Sequence, residues 1–155
     1  NPNSDVIAEA ETEVAKNPDD VEDLLLLASL MANSGRLTDA IPHFERALEL
    51  KPDDVAARLS FARALADGGM YADAELQFNR VLEIDPNNQQ AHYYLAEMLM
   101  AQSPQRTTEA IEHYRAAAAI DSTTLIGERS QTQLQALGSG NVGSPVASPA
   151  ATPAA

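Results

Sequence analysis

Between Val21 and Ile120 the apolar residues recur three and four positions apart, in stretches separated by short polar breaks. That spacing gathers the apolar side chains of each stretch on one stripe of an α-helix. The helices so predicted run over about 21–33 and 38–50, 54–67 and 72–84, and 88–101 and 107–120, as three consecutive pairs. Another helix is expected over about Ser4 to Lys16. A more polar amphipathic one is expected over Ser122 to Leu137, with Leu125, Ile126, Leu134 and Leu137 available to cover the last pair.

The pattern is itself repeated. Val21–Asp54 aligns without gaps on Val55–Asn88, a period of 34 residues, and a third copy runs from Gln89 to about Thr124, two residues longer around Ser103-Pro104-Gln105. Stacking the copies shows small residues where two helices must approach closely: Ala28, Ala62 and Ala96 in the first helix, and Ala40, Ala74 and Ala110 in the second. Large apolar residues fill neighbouring columns, as Leu27, Phe61 and Leu95 and, one turn on, Met31, Leu65 and Leu99. Phe44, Phe78 and Tyr114 place an aromatic in each second helix, followed by Ala47, Val81 and Ala117.

The punctuation agrees. Gly35 and Gly69 stand where a first helix must turn back, in the left-handed conformation that ends helices. Each second helix stops before Lys51-Pro52 or Asp85-Pro86, and Asp53-Asp54 or Asn87-Asn88 then offers a cap to the next helix. Asn17-Pro18-Asp19-Asp20 repeats this one unit earlier, so residues 1–19 read as the trailing half of a repeat or an N-terminal cap. Pro42 is expected in the first turn of its helix, where a missing N–H costs little.

These columns, over roughly Asp20 to Asp121, resemble the tetratricopeptide repeat family. The resemblance implies an all-α, right-handed superhelical solenoid of antiparallel helix pairs. Its divisions would be three repeats in 20–121 (21–54, 55–88 and about 89–124), a capping helix over 122–137, and a tail over 138–155. Departures are specific: Leu24, Arg58 and His92 replace the large aromatic usual near the start of the first helix. Met31, Leu65 and Leu99 replace another aromatic, and Ser122 stands where a third proline is usual. A terminal repeat needs a polar cap, a role the last helix suits.

Composition narrows the rest. A chain of 155 residues with 45% hydrophobic content suits one core with appended ends, and an aromatic content of 5% with no Trp suits helices better than a sheet sandwich. The tail from Gly138 onward, rich in Ala, Pro and Ser and without charge or aromatics, cannot bury enough apolar surface to offset its ordering entropy, so it is expected to be a disordered terminus or tether. The formal net charge of -13 repels phosphate backbones and anionic lipid headgroups, so nucleic acid is excluded as a partner. No apolar run is long enough to span a bilayer, so no direct membrane insertion is expected of this chain. Asn1 in place of Met is the start expected of a fragment or processed form. The protein is expected to be cytoplasmic or, if an upstream signal or anchor was removed, on the periplasmic side of a bacterial membrane.

No catalytic set emerges, and no cofactor or metal is expected. Cysteine is absent, which removes thiolate metal sites and Cys nucleophiles. His43, His92 and His113 fall at unrelated places in the repeat; His43 and His113 share a column two hairpins apart, too far to share one ion. The acidic pairs before helix starts lack the alternating ligands of a calcium loop and are read as caps.

The family resemblance implies instead a peptide-binding groove lined by the first helix of each hairpin. Carried over column by column, it comprises Glu22, Leu25, Leu26, Ser29 and Asn33, then Ala56, Leu59, Ser60, Arg63 and Asp67, then Gln90, Tyr93, Tyr94, Glu97 and Ala101. Leu25 and Leu59 serve equally well as packing residues. Leu25, Ser29, Ser60, Gln90 and Tyr94 occupy columns in which family members that clamp a chaperone's C-terminal carboxylate place Lys, Asn and Arg, so no such clamp is expected. The surface that remains suits a protein or peptide with apolar anchors and some positive charge, with Tyr93 and Tyr94 as the strongest contacts. Two alternatives stay open: a self-associating structural module of a larger protein, and a factor binding apocytochrome. The second rests on a similarity of Ile7 to about Leu65 to the repeat domains of bacterial cytochrome c assembly proteins.

Overall fold

The computed structural model of the chain describes residues 2–102 and 105–138. Eight helices follow in order: α1 (Pro2–Lys16), α2 (Val21–Asn33), α3 (Leu37–Leu50), α4 (Val55–Asp67), α5 (Tyr71–Ile84), α6 (Gln89–Ala101), α7 (Thr107–Ile120) and α8 (Leu125–Ala136). The six central helices start and stop within a residue of where the periodicity puts them. The expected tail lies, past Gly138, outside the described residues.

Local chemistry explains the boundaries. Asp20, Asp54, Asn88 and Thr124 stand at equivalent places and each accepts a backbone N–H from the first turn of α2, α4, α6 or α8. A cap of this kind is worth roughly 1 kcal/mol. Helices α2 and α4 end in a second shared device. Gly35 and Gly69, at φ 82° and 77°, let the N–H groups of Arg36 and Met70 turn back to the carbonyls of Met31 and Leu65. The third hairpin has no such glycine, and its two-residue insertion carries the chain until Arg106 N–H reaches the Leu99 carbonyl.

Pro42 corrects the expectation. Because α3 begins at Leu37, the proline lies inside the helix rather than in its first turn. Its ring removes the bond that Thr38 carbonyl would accept, a loss limited here because both residues face solvent.

Each central pair packs as an antiparallel hairpin, and the columns meet at its axis. Ala28, Ala62, Ala96, Ala40, Ala74 and Ala110 are fully buried, which lets the paired helices approach closely enough to enclose Phe44, Phe78 and Tyr114. Phe44 also stacks on Phe61 of the next hairpin, with ring centres 5.0 Å apart, so the core runs from unit to unit.

The packing also sets the curvature. Helices α2, α4, α6 and α8 touch in succession, whereas α1, α3, α5 and α7 do not touch one another. A double layer that is tighter on one side bends toward that side, so α2, α4, α6 and α8 line the inner surface of the solenoid. Helix α8 is seated by Leu134, fully buried, and by the partly buried Ile126 and Leu137, while Leu125 points outward at 62% exposure and covers nothing.

Candidate functional site

Carrying the repeat register forward places α8 in the position of a fourth first helix, one row beyond α6. The inner surface therefore continues past the third repeat. A recess of about 460 Å³ lies between α4, α6 and α8, and the start of α5 adds Tyr71. A smaller recess of about 200 Å³ adjoins it between α2 and α4, and the two share Arg63 and Asp67.

Aromatic packing shapes the larger recess. The Arg63 guanidinium lies 4.3 Å above the centre of the Tyr94 ring. Such a cation–π contact holds the arginine extended across the floor. Tyr94 meets Tyr93 edge to face at 5.4 Å, and Tyr93 meets Tyr114 in the same manner at 5.9 Å. Behind this row, the Tyr114 hydroxyl donates a short hydrogen bond to Glu97. Burial, reinforced by that bond, pushes the Tyr114 phenol far above its ordinary range. Burial also raises Tyr93, an effect strengthened by the nearby Glu97 and opposed by Arg129. Both phenols therefore stay neutral donors. Arg63 makes no ion pair with any described residue, so its charge remains available to the recess.

The structure sorts the fifteen groove candidates. Ser29, Asn33, Ser60, Arg63, Asp67, Tyr93, Tyr94, Glu97 and Ala101 are brought together along the two adjoining recesses. Leu59 is a core residue at 7% exposure, and Leu25 packs half-buried against the core. Glu22, Ala56 and Gln90 are exposed near helix starts and line neither recess. Leu26 lies on a different groove, between α1 and α2. Tyr93 is mainly a packing residue, exposing 7% of its surface, whereas Tyr94 is only partly buried.

Column-by-column reading of three repeats missed Tyr71, Met98 and Arg129. Arg129 had a signal. With the third unit two residues longer, it falls in the column of Leu25, Leu59 and Tyr93.

The histidines also need correction. They do not all stand apart: His92 and His113 meet within the third hairpin, Nδ1 to Nδ1 at 2.9 Å. Among the described residues no three His, Asp or Glu side chains gather as a metal site. No described helix is long and apolar enough to cross a membrane.

Comparison with known proteins fits this architecture. The family model described as the cytochrome c-type biogenesis protein H TPR domain matches residues 10–123, well over half of the chain. Among solved structures, YrrB, a TPR protein with an unusual peptide-binding site, is 24% identical with a TM-score of 0.71, over 84% of this chain and 66% of that one. This chain thus spans just under two thirds of YrrB. MamA is 20% identical with a TM-score of 0.70, over 87% of this chain and 78% of that one. A second MamA structure, from MSR-1, is 21% identical with a TM-score of 0.67, over 78% and 68%. At such identities the likeness establishes the fold. Among curated proteins nothing matches.

Proposed function

The chain belongs to the cytochrome c-type biogenesis protein H TPR family, a right-handed solenoid of helix pairs, and from that premise we propose that it is a non-catalytic scaffold holding a segment of another polypeptide on its inner surface. The observation that carries this reading is the recess at Tyr94, where an aromatic floor is joined to Arg63, a charge that pairs with no described residue. Peptide-binding surfaces join aromatic anchors to charged and polar groups that fix orientation, and this recess, lined by Tyr71 and Tyr94 together with Arg63, Asp67, Glu97 and Arg129, has both. An apolar anchor would rest on Tyr94 and Tyr71. Asp67, on the rim, would pair with a positive group of the partner, a preference that the net charge of -13 reinforces at long range. YrrB, similar in fold, has an unusual peptide-binding site, and its example supports peptide binding as a use of this fold here.

The experiment is selection from a displayed peptide library, followed by titration of the selected peptide against the chain and its variants. Tyr94→Ala and Arg63→Ala should each weaken binding at least about tenfold, as central aromatic and Arg contacts do, with helical content unchanged. Tyr93→Ala is a poor test, since its ring is part of the core. Unchanged affinity in both variants would sink the groove assignment. Reception of an apocytochrome segment rests on the family alone; no side chain in the recess singles out such a sequence. A haem-attachment peptide in the same titration serves as the comparison.

A further inference from the structure

Cations are scarce in this chain, 10 Lys and Arg against 23 Asp and Glu, so where one stands without a carboxylate is informative. Arg36, Arg46, Arg80 and Arg106 are drawn into ion pairs. Arg63 of α4 and Arg129 of α8 pair with no described residue, and both line the recess at Tyr94. Tyrosines position them instead. The Arg63 guanidinium lies over the Tyr94 ring at 4.3 Å, and Arg129 stands by the Tyr93 hydroxyl, whose ionisation it favours. The Tyr93 and Tyr94 rings meet at 5.4 Å, so the two arginines converge on one aromatic pair from the helices that flank α6. A ring orients a guanidinium without neutralising it, and both forks keep N–H groups for a ligand.

Donors and acceptors in the recess are unequal. Two carboxylates line it with the arginines, but Glu97 already accepts the Tyr114 hydroxyl. Asp67, one turn beyond Arg63 on α4, belongs also to the recess between α2 and α4, whereas Arg129 lines the larger recess alone. What the pair of arginines lacks is a group that only accepts, carries negative charge and offers two oxygens to a planar fork. A carboxylate is that group. Because the two recesses adjoin through Arg63 and Asp67, a segment lying in both presents side chains to the arginines and need not end there. We propose that the recess at Tyr94 reads an acidic side chain: the bound segment carries Asp or Glu beside its apolar anchor, held by Arg63 and Arg129. The proposal rests on the reading of the inner surface as a peptide site. It adds to the basic group at Asp67 an acid at the arginines, so that opposite charges on the two sides of the anchor fix the register of the segment.

The test uses the full chain and a random peptide library displayed by fusion at the peptides' C-termini, so that no peptide offers a terminal carboxylate. Peptides that the chain selects and Tyr94→Ala loses should carry Asp or Glu next to an apolar residue. One of them is then synthesised with an amidated C-terminus and a fluorescent label, in its acidic form and with the acid replaced by the matching amide. Anisotropy should show the amide form binding about tenfold more weakly. Arg129→Gln should weaken the acidic form at least about fivefold and the amide form less than about twofold, a difference that a merely structural role would not produce. Arg129 is exposed, so its replacement leaves the fold intact, which circular dichroism checks. Arg115→Gln, removing the same charge from an exposed position on α7, should change neither affinity. Selected peptides that need Tyr94 but carry no acid, equal losses of both forms on Arg129→Gln, or an equal loss on Arg115→Gln would overturn the proposal and leave the peptide site standing. Binding that appears only when the C-terminus is left free would also overturn it, by making a chain end the source of the carboxylate. A chain that selects no peptide, or only peptides indifferent to Tyr94, would overturn both readings.

Discussion

His92 of α6 and His113 of α7 face each other Nδ1 to Nδ1 at 2.9 Å across the third hairpin. The other nitrogen of His92 lies 3.1 Å from the Pro86 carbonyl, which can only accept. His92 Nε2 therefore carries a hydrogen and, with both rings neutral, His113 Nδ1–H donates to His92 Nδ1. The pair thus has one assigned tautomer, and its register is shared: in the second hairpin Arg58, in the His92 column, donates to Gln77, in the His113 column, and to the Pro52 carbonyl.

The arrangement predicts a pH dependence. Burial, and then the neighbouring His92, hold the His113 imidazole below its usual range, against the opposing pull of Glu112, Glu109 and Glu75. The unfolded chain then binds the extra proton more readily than the folded one. This stability is present in full above about pH 6.5, the ordinary His value, and is lost as pH falls through that value toward the lower folded one. Water screens the half-buried ring, so the loss should be small. Urea unfolding at stepped pH should show it, and His113→Gln should flatten that part of the profile. An unaltered profile would remove the ring pair as its source.

The shared register predicts a rescue. His92→Arg alone sets a guanidinium against an imidazole, and His113→Gln alone leaves His92 with an altered partner. Together they reproduce the Arg58–Gln77 pair. The double variant should be more stable than the sum of the single effects by about 0.5–2 kcal/mol, measured as a double-mutant cycle in urea. Additive effects would mean that the two columns are not coupled.

Tyr114 joins the core to the inner surface through Glu97. Tyr114→Phe keeps the ring packing but leaves a half-buried carboxylate without its donor, which should cost about 1–2 kcal/mol. Glu97→Gln still offers an oxygen to the hydroxyl and should cost less. Thermal unfolding compares the two, and a larger loss for Glu97→Gln would contradict the assignment.

Two glycines should respond for different reasons. A Cβ on Gly127 would lie 2.0 Å from the Asp121 carbonyl oxygen and 2.8 Å from Ser122 Cα, atoms of backbone that cannot turn aside. Gly127→Ala should therefore cost about 2 kcal/mol or more and loosen α8 first. A Cβ on Gly35 meets nothing, and the penalty comes from its φ of 82°, so Gly35→Ala should cost about 1 kcal/mol. Hydrogen exchange should show early opening of α8 in the first variant only.

The reach of sequence reading differs between these features. Gly35 was legible because ending a helix is a property of a few consecutive residues. Gly127 was not: its constraint comes from the close approach of the turn at Asp121 to the start of α8. The same division runs through the groove. Tyr93 and Tyr94 are adjacent and chemically alike, but the first is packed against Tyr114 and the second lies under Arg63. Neighbouring residues on a helix point about 100° apart, and only the placement of α4 and α8 decides which direction is inward.

The amino-acid sequence by itself determined the helices, their caps and their pairing into repeats, because period, capping and turn chemistry act over distances of a few residues and the alanine columns leave one close way to pack each hairpin. Only the tertiary structure decided which faces stay open. That outcome depends on how successive hairpins tilt, bringing α2, α4, α6 and α8 together while their partners splay apart. The tilt buries Leu59, brings Arg129 beside Tyr93 and leaves Leu26 uncovered at the end of the row. It is set by the summed packing of side chains far apart in the chain, which no local pattern encodes.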